Sequence, residues 1–231
     1  MKAIILAAGQ GKRMRPLTHT TAKALLRVGN RSLIEHIIVS LVRSGINDLV
    51  INLHHFADKI QAHLGDGERF GASIQYAHET VLLDTAGGIL NAMELIGTDP
   101  FAVVNADIFT NYDFSKLVNL PPLREESILG HLVLVDNPDH HPGGDFAMSN
   151  TNVNGMCLLD LEHDDRLTWS GISVLQPRLF IGLTPGKSPL RELFLPAITA
   201  GHMTGEHFKG SWTDVGTPDR LESLNKAEKR Q

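Results

Sequence analysis

The sequence predicts an α/β protein built on a parallel sheet, and three features carry that expectation. The chain opens on a short apolar run, residues 3–8, that ends at Gly9. Further short apolar runs alternate with segments whose apolar residues recur at helical spacing. Asp107 lies just beyond a further such run, residues 101–105, at the strand end where open α/β sheets bind their ligands.

Each element has its own reason. Residues 3–8 are too few for a stable helix and suit a strand buried on both faces. Ser32 followed by Glu35 reads as a capping box ahead of Ile37, Ile38, Leu41 and Val42, with Gly45 as the stop, so a helix is expected there. Leu49, Val50 and Ile51 predict a strand, Ile60 and Leu64 a helix, residues 74–77 a strand and residues 85–95 a helix. Residues 101–105 form another buried strand just ahead of Asp107. In the second half, 127–135 reads as a strand, while 137–145 holds two Pro and two Gly and must be a loop. Strands are expected near 153–159, 171–175 and 205–208, and a helix over 189–200, with Leu193, Leu195 and Ile198 facing the core. Thr217 and Pro218 open a last helix in the favoured cap-then-proline order, and the charged tail 226–231 is its solvated end. With no linker or repeat in view, residues 1–231 are expected to form a single domain.

Composition narrows the possible functions. A chain of 231 residues with 42% hydrophobic content can bury a sizeable core. Its 26 acids outnumber 21 Lys plus Arg, which argues against a nucleic-acid partner. The one cysteine, Cys157, has no internal disulfide mate and sits in an apolar stretch as a small core residue. The opening MKAIILAAG lacks the pattern of a cleaved leader, and no apolar run approaches the roughly 18 residues of a membrane span, so a cytoplasmic protein without a membrane partner is expected.

The loop after the first strand carries the chemistry. Gly9 and Gly11 let backbone N–H groups approach phosphate, and Lys12, Arg13, Arg15 and Lys23 gather cations there in an acidic chain. A dinucleotide fingerprint fails at Met14, and a P-loop fails for want of a Lys-Ser/Thr pair. A polyphosphate ligand and a turn with solvated basic residues both fit these features alone.

Residues 6–26, LAAGQGKRMRPLTHTTAKALL, resemble the signature of the sugar-1-phosphate nucleotidyltransferases, with Ala22 in place of the proline that usually precedes the lysine, here Lys23. T-A-G-G at 85–88, N-A-D at 105–107 and W-T-D-V-G-T at 212–217 follow in that family's order. NPDHHPGGDF at 137–146 and W-S-G-I at 169–172 are similar to the N-acetylmuramate α-1-phosphate uridylyltransferases of peptidoglycan recycling, which are also short and lack the C-terminal β-helix of many relatives.

The resemblance implies a Rossmann-like (GT-A-like) fold with a central, mostly parallel mixed sheet flanked by helices. It implies that a sugar phosphate oxygen attacks the α-phosphorus of a nucleoside triphosphate, UTP in the subfamily, and that pyrophosphate leaves. Such a nucleophile arrives ionised, so positioning, cations and Mg²⁺ matter more than a general base. Arg13 and Lys23 become the catalytic candidates, and Ala7, Ala8, Gly9, Gly11, Glu79, Thr85, Gly88 and Asn105 the nucleotide contacts. Gly144, Asp145, Trp169 and Gly171 become sugar contacts, and Asp107 and Asp214 the Mg²⁺ ligands. Without the resemblance, each Asp reads first as a turn former.

Glu79 leaves the base open, because an ionised carboxylate only accepts hydrogen bonds and suits guanine at least as well as uracil. Asp84 also departs from the residue that relatives place before the Thr85 turn. Guanylyl or thymidylyl transfer to another sugar phosphate, and nucleotide-sugar sensing without turnover, are the alternatives. Arg166 and Lys187 are candidate cations for a lactyl carboxylate. Of the twelve His, the pairs His54-His55 and His140-His141 read as loop and strand-end residues rather than metal ligands, because neighbours on an extended segment point apart.

Overall fold

A computed structural model describes residues 1–120, 127–153 and 155–228. In chain order, the first half runs β1 (Ala3–Leu6), β2 (Arg27–Val28), β3 (Arg31–Ser32), α1 (Leu33–Arg43), β4 (Asp48–Leu53), α2 (Ala57–Leu64), β5 (Ser73–His78), α3 (Asp84–Asn91), α4 (Met93–Ile96), β6 (Phe101–Asn105), β7 (Ile108–Thr110) and α5 (Ser115–Val118). The second half adds β8 (Gly130–Val135), β9 (Ala147–Val153), β10 (Met156–Asp160), β11 (Thr168–Leu175), α6 (Leu190–Thr199), β12 (Met203–His207), β13 (Trp212–Asp214) and α7 (Pro218–Glu228). Nine strands form one sheet in the order β5-β4-β1-β6-β11-β8-β12-β10-β9, and all but β10 and β11 run in one direction. The expected mostly parallel mixed sheet is what the chain builds.

Alternation along β1 shows why that strand is apolar throughout. Ala3 and Ile5 pack on one face with Ile34, Ile37, Ile38 and Leu41 of α1, while Ile4 packs on the other with Ala86 and Ile89 of α3. A strand covered by helices on both sides has no solvent face on which a polar residue gains anything. Helix α1 starts as the capping box requires, since the Ser32 amide donates to Glu35 Oε2 at 2.8 Å and the Ser32 hydroxyl donates to the same oxygen at 2.9 Å. It ends at Gly45, whose φ of +82° lets the Ile46 amide return to the Leu41 carbonyl at 3.0 Å.

Several expectations shift. The strand expected near 153–159 is a hairpin, with β9 ending at Val153 and β10 starting at Met156. Strand β9 passed unread because its sequence, AMSNTNV, belongs to a largely exposed edge strand without an apolar face. The helix over 85–95 breaks at Ala92 into α3 and α4. Strand β8 starts at Gly130 rather than 127, β11 reaches back to Thr168, and β12 starts at Met203. Of the charged tail, 226–228 continue α7, and 229–231 lie outside the described residues.

Candidate active site

The carboxyl ends of β1, β4 and β6 and the amino end of β11 meet along one edge of the sheet, where a two-part cleft opens. Asn105 and Asp107 line both parts. The first part is lined by Ala7, Ala8 and Gly9 from the loop after β1, with Lys23, Thr85 and, from the second half of the chain, Lys187. The second is lined by Arg13, Trp169, Gly171 and Asp214. Eleven of the sixteen residues expected from sequence therefore face one cleft.

The other five candidates stand behind the wall. Gly11, with φ +58°, folds the loop back so that its carbonyl accepts from the Thr18 hydroxyl at 2.8 Å and the Met14 amide at 2.9 Å. Glu79 is buried, and a Cβ on Gly88 would lie 2.5 Å from Glu79 Oε1. Asp145 accepts from the Trp169 amide at 2.9 Å and pairs with Arg191 at 3.1 Å, so it fixes the sugar-side wall rather than facing the cleft. Gly144, with φ +60°, lies so close to the Arg166 backbone that a Cβ would stand 2.7 Å from its carbonyl. The Ala7 amide is also spoken for, donating to Asn52 Oδ1 at 2.8 Å.

The two candidate metal ligands are brought together by a ribbon that sequence reasoning missed. Strands β7 and β13 pair antiparallel with Asp214 opposite Ile108, and the Val215 amide donates to the Asp107 carbonyl at 2.8 Å. Three residues per strand give too little periodicity to be read. Each carboxylate is met by a cation: Lys23 Nζ donates to Asp107 Oδ2, and Arg220 Nη1 donates to Asp214 Oδ1 with His140 Nε2 at 3.1 Å from the same oxygen. Asn105 Oδ1, beside them, is buried without a partner among the described residues. Two hard carboxylates and an unpaired amide oxygen fit a small divalent cation that completes its shell with phosphate and water.

Other residues were missed or misplaced. His140 and His141 both line the sugar-side part, on a turn over 138–141 closed by the His141 amide on the Pro138 carbonyl at 2.8 Å. Lys187 lines the first part of the cleft instead of the second, and Arg166 lines neither, its guanidinium donating to the Leu161 carbonyl at 2.7 Å. Asn52 had a readable signal, a lone amide near the end of the apolar run LVINL, as Asn105 ends FAVVN.

Comparison with known proteins shows the family. The family model described as nucleotidyl transferase matches residues 2–144. The chain belongs to that family. It is 39% identical to an N-acetylmuramate alpha-1-phosphate uridylyltransferase of Neisseria meningitidis over 96% of this chain and 95% of that protein. It is 30% identical to a mannose-1-phosphate guanyltransferase of Aspergillus fumigatus over 94% of this chain, but only 61% of that longer protein. A crystal structure of a UDP-glucose pyrophosphorylase complexed with UDP-glucose superposes with a TM-score of 0.82, covering 99% of this chain and 98% of the other at 16% identity, which speaks to the fold. The family and these relatives make the chain a sugar-1-phosphate nucleotidyltransferase. Among the described residues no helix is long and apolar enough to cross a membrane.

Proposed function

We propose that this nucleotidyltransferase moves a uridylyl group from UTP to N-acetylmuramate α-1-phosphate, giving UDP-N-acetylmuramate and pyrophosphate, as a single-domain cytoplasmic enzyme of peptidoglycan recycling. The observation that carries the choice of substrates is the 39% identity to the Neisseria uridylyltransferase along nearly the whole of both chains. The cleft supports nucleotidyl transfer by offering two adjoining parts, with Asp107 at their junction and Asp214 in the second.

In this reading the first part takes the nucleotide and the second the sugar phosphate. A sugar phosphate oxygen bonds to the α-phosphorus as the bond to the bridging oxygen of pyrophosphate breaks. Backbone at Ala8 and Gly9 borders the triphosphate, and Lys187 stands within the same half. Arg13, which makes no ion pair among the described residues, is free to meet the leaving pyrophosphate from the second half. Lys23 shifts from Asp107 to a phosphate oxygen, which leaves Asp107 open on the junction side. Asp107 and Asp214 would hold Mg²⁺, which supplies charge neutralisation at the transferred phosphoryl group. Trp169 and Trp212 wall the sugar side, each fixed by its indole N–H, to the Ile172 carbonyl at 3.1 Å and the Ser170 carbonyl at 2.9 Å. The reaction is then positioning and electrostatics, with no proton to abstract.

The test is Mg²⁺-dependent pyrophosphate release with N-acetylmuramate α-1-phosphate and, in parallel, UTP, GTP, dTTP, CTP and ATP, with Asp107→Ala as the blank. Release confined to UTP is expected. Release with GTP and mannose 1-phosphate instead would favour the guanylyl reading that the Aspergillus relative keeps alive.

A further inference from the structure

Glu79 sits where the resemblance expects a residue that reads the base, yet its carboxylate is committed to the protein. Oε1 accepts from Asn52 Nδ2 at 2.7 Å, and Oε2 accepts from the Leu83 amide at 3.0 Å. The residue is 6% exposed and is not among those that line either part of the cleft. Its backbone is held too, with the Glu79 amide on the Leu53 carbonyl at 2.8 Å and His54 Nδ1 against the Glu79 carbonyl at 3.0 Å. Gly88 closes the remaining side, since even a methyl there would stand 2.5 Å from Oε1 and 2.6 Å from Asn52 Nδ2.

These contacts continue in both directions. Asn52 passes the connection to the phosphate loop, its Oδ1 accepting from the Ala7 amide at 2.8 Å. On the other side, the Leu83 carbonyl accepts from the Ser188 amide at 2.9 Å, and the Ser188 carbonyl accepts from the amides of Ala86 and Gly87 at 2.8 and 3.1 Å. The Leu190 amide then donates to the Thr85 hydroxyl at 2.7 Å. One unbroken series of hydrogen bonds thus joins the three segments that supply Ala8, Thr85 and Lys187 to the nucleotide half. Glu79 is its midpoint.

We infer that Glu79 is a positioning residue that fixes these three loops relative to one another through Asn52 and Leu83, and that the choice of base is made by other groups of the first cavity. The inference rests on the nucleotide occupying that cavity. Two donors meet the carboxylate, so Gln in its place must turn an amide N–H₂ toward one of them. Even the isosteric change therefore breaks one bond, and Leu breaks both.

The test is calorimetric titration of wild type, Glu79→Gln and Glu79→Leu with UTP, GTP and dTTP, below the onset of thermal unfolding of each variant, together with KM for the sugar phosphate. Both variants are expected to weaken every nucleotide in common, by about tenfold for Gln and more for Leu, as the loss of buried hydrogen bonds implies. The ratio of UTP to GTP affinity should stay within about twofold of wild type, and KM for the sugar phosphate should not move. A ratio that shifts about tenfold or more would show that Glu79 touches the base and would overturn the inference. So would an unchanged nucleotide affinity in a variant that melts earlier, which would mark the residue as structural only. Wild type that binds no nucleotide would sink the cavity assignment itself, whereas binding of a nucleotide other than UTP overturns only the choice of substrate. Should neither variant fold, a crystal structure of wild type with UTP decides: Glu79 should remain on Asn52 and Leu83, and a carboxylate hydrogen-bonded to uracil would refute the proposal.

Discussion

At Gly171 the backbone takes a φ of +80°, and a Cβ would lie 2.6 Å from Nδ2 of Asn105. The absence of a side chain there is what lets Asn105 sit between the two halves of the cleft, beside Asp107. Gly171→Ala should therefore displace Asn105 toward the reacting groups and cost about a hundredfold in kcat/KM, as an ångström-scale misplacement does. Steady-state kinetics checks this alongside circular dichroism, and wild-type turnover from a folded variant would show that Asn105 needs no fixed place. Lys23 poses a different problem because it pairs with Asp107 in the structure, whereas the proposed reaction asks it to meet a phosphate oxygen. Lys23→Met should lower kcat by roughly a hundredfold or more, the usual cost of one preorganised charge at a developing anion. Its fold should survive, since the residue left bare, Asp107, has a side chain 36% exposed and can be solvated. A loss seen only in KM would instead confine Lys23 to ground-state binding.

Elements differ in how far they could be read from sequence, and the difference is physical. Helix α1 was legible because its start and stop are made by side chains and a glycine close in sequence: Ser32, Glu35 and Gly45. The buried strands β1 and β6 were legible because both their faces are covered. By contrast, the β7–β13 ribbon that brings Asp107 to Asp214 depends on pairing across about a hundred residues, and no local pattern encodes it. Without the resemblance to a known signature the two acids would have stayed unrelated. The same holds for Glu79, whose partners Asn52 and Leu83 are specified by tertiary packing. The α1 cap makes an element-level prediction about pH. Burial alone would raise the Glu35 pKa, but the Ser32 amide and hydroxyl and the nearby His63 outweigh it and bring it down to about 2 from 4.5. A lowered carboxylate pKa contributes stability that is present above about 4.5 and is lost as pH falls toward about 2. Glu35→Gln, which also gives up the ion pair with Arg69 at 2.9 Å, should cost about 1–2 kcal/mol at pH 7, or about 4 °C in Tm. Thermal melts should show that deficit shrinking as pH falls from about 4.5 toward about 2, where the wild-type carboxylate takes up a proton on unfolding. A deficit independent of pH would mean that the packing of the side chain, not its charge, does the stabilising.

Across the whole molecule, the central sheet joins a parallel first half to a mixed second half, and β8, between β11 and β12, lies wholly inside it. His131 of β8 is 2% exposed, with Nδ1 3.0 Å from the Thr204 hydroxyl of β12. Nε2 is buried without a partner among the described residues. Burial lowers the His131 pKa from 6.5 to about 4, against the smaller opposing pull of Glu206. Above about 6.5 both folded and unfolded chains hold this ring neutral, so it adds no pH dependence. Between 6.5 and about 4 the unfolded chain takes up a proton that the folded chain refuses, so stability falls as the solution is acidified. The full effect is on the order of 3 kcal/mol. His131→Leu removes the titrating ring and its unpaired nitrogen, and gives up only the bond to a hydroxyl that can still donate to the Gly130 carbonyl at 3.4 Å. At pH 7.5 the variant should match wild type to within about 1 kcal/mol. At pH 4.5 it should be the more stable protein, so the two curves of Tm against pH should lie close together at pH 7.5 and separate as the solution is acidified. The window lies above the one in which Glu35 acts, so melts between pH 4.5 and 7.5 separate the two groups. Parallel curves through that range would show that the acid sensitivity of the sheet arises elsewhere.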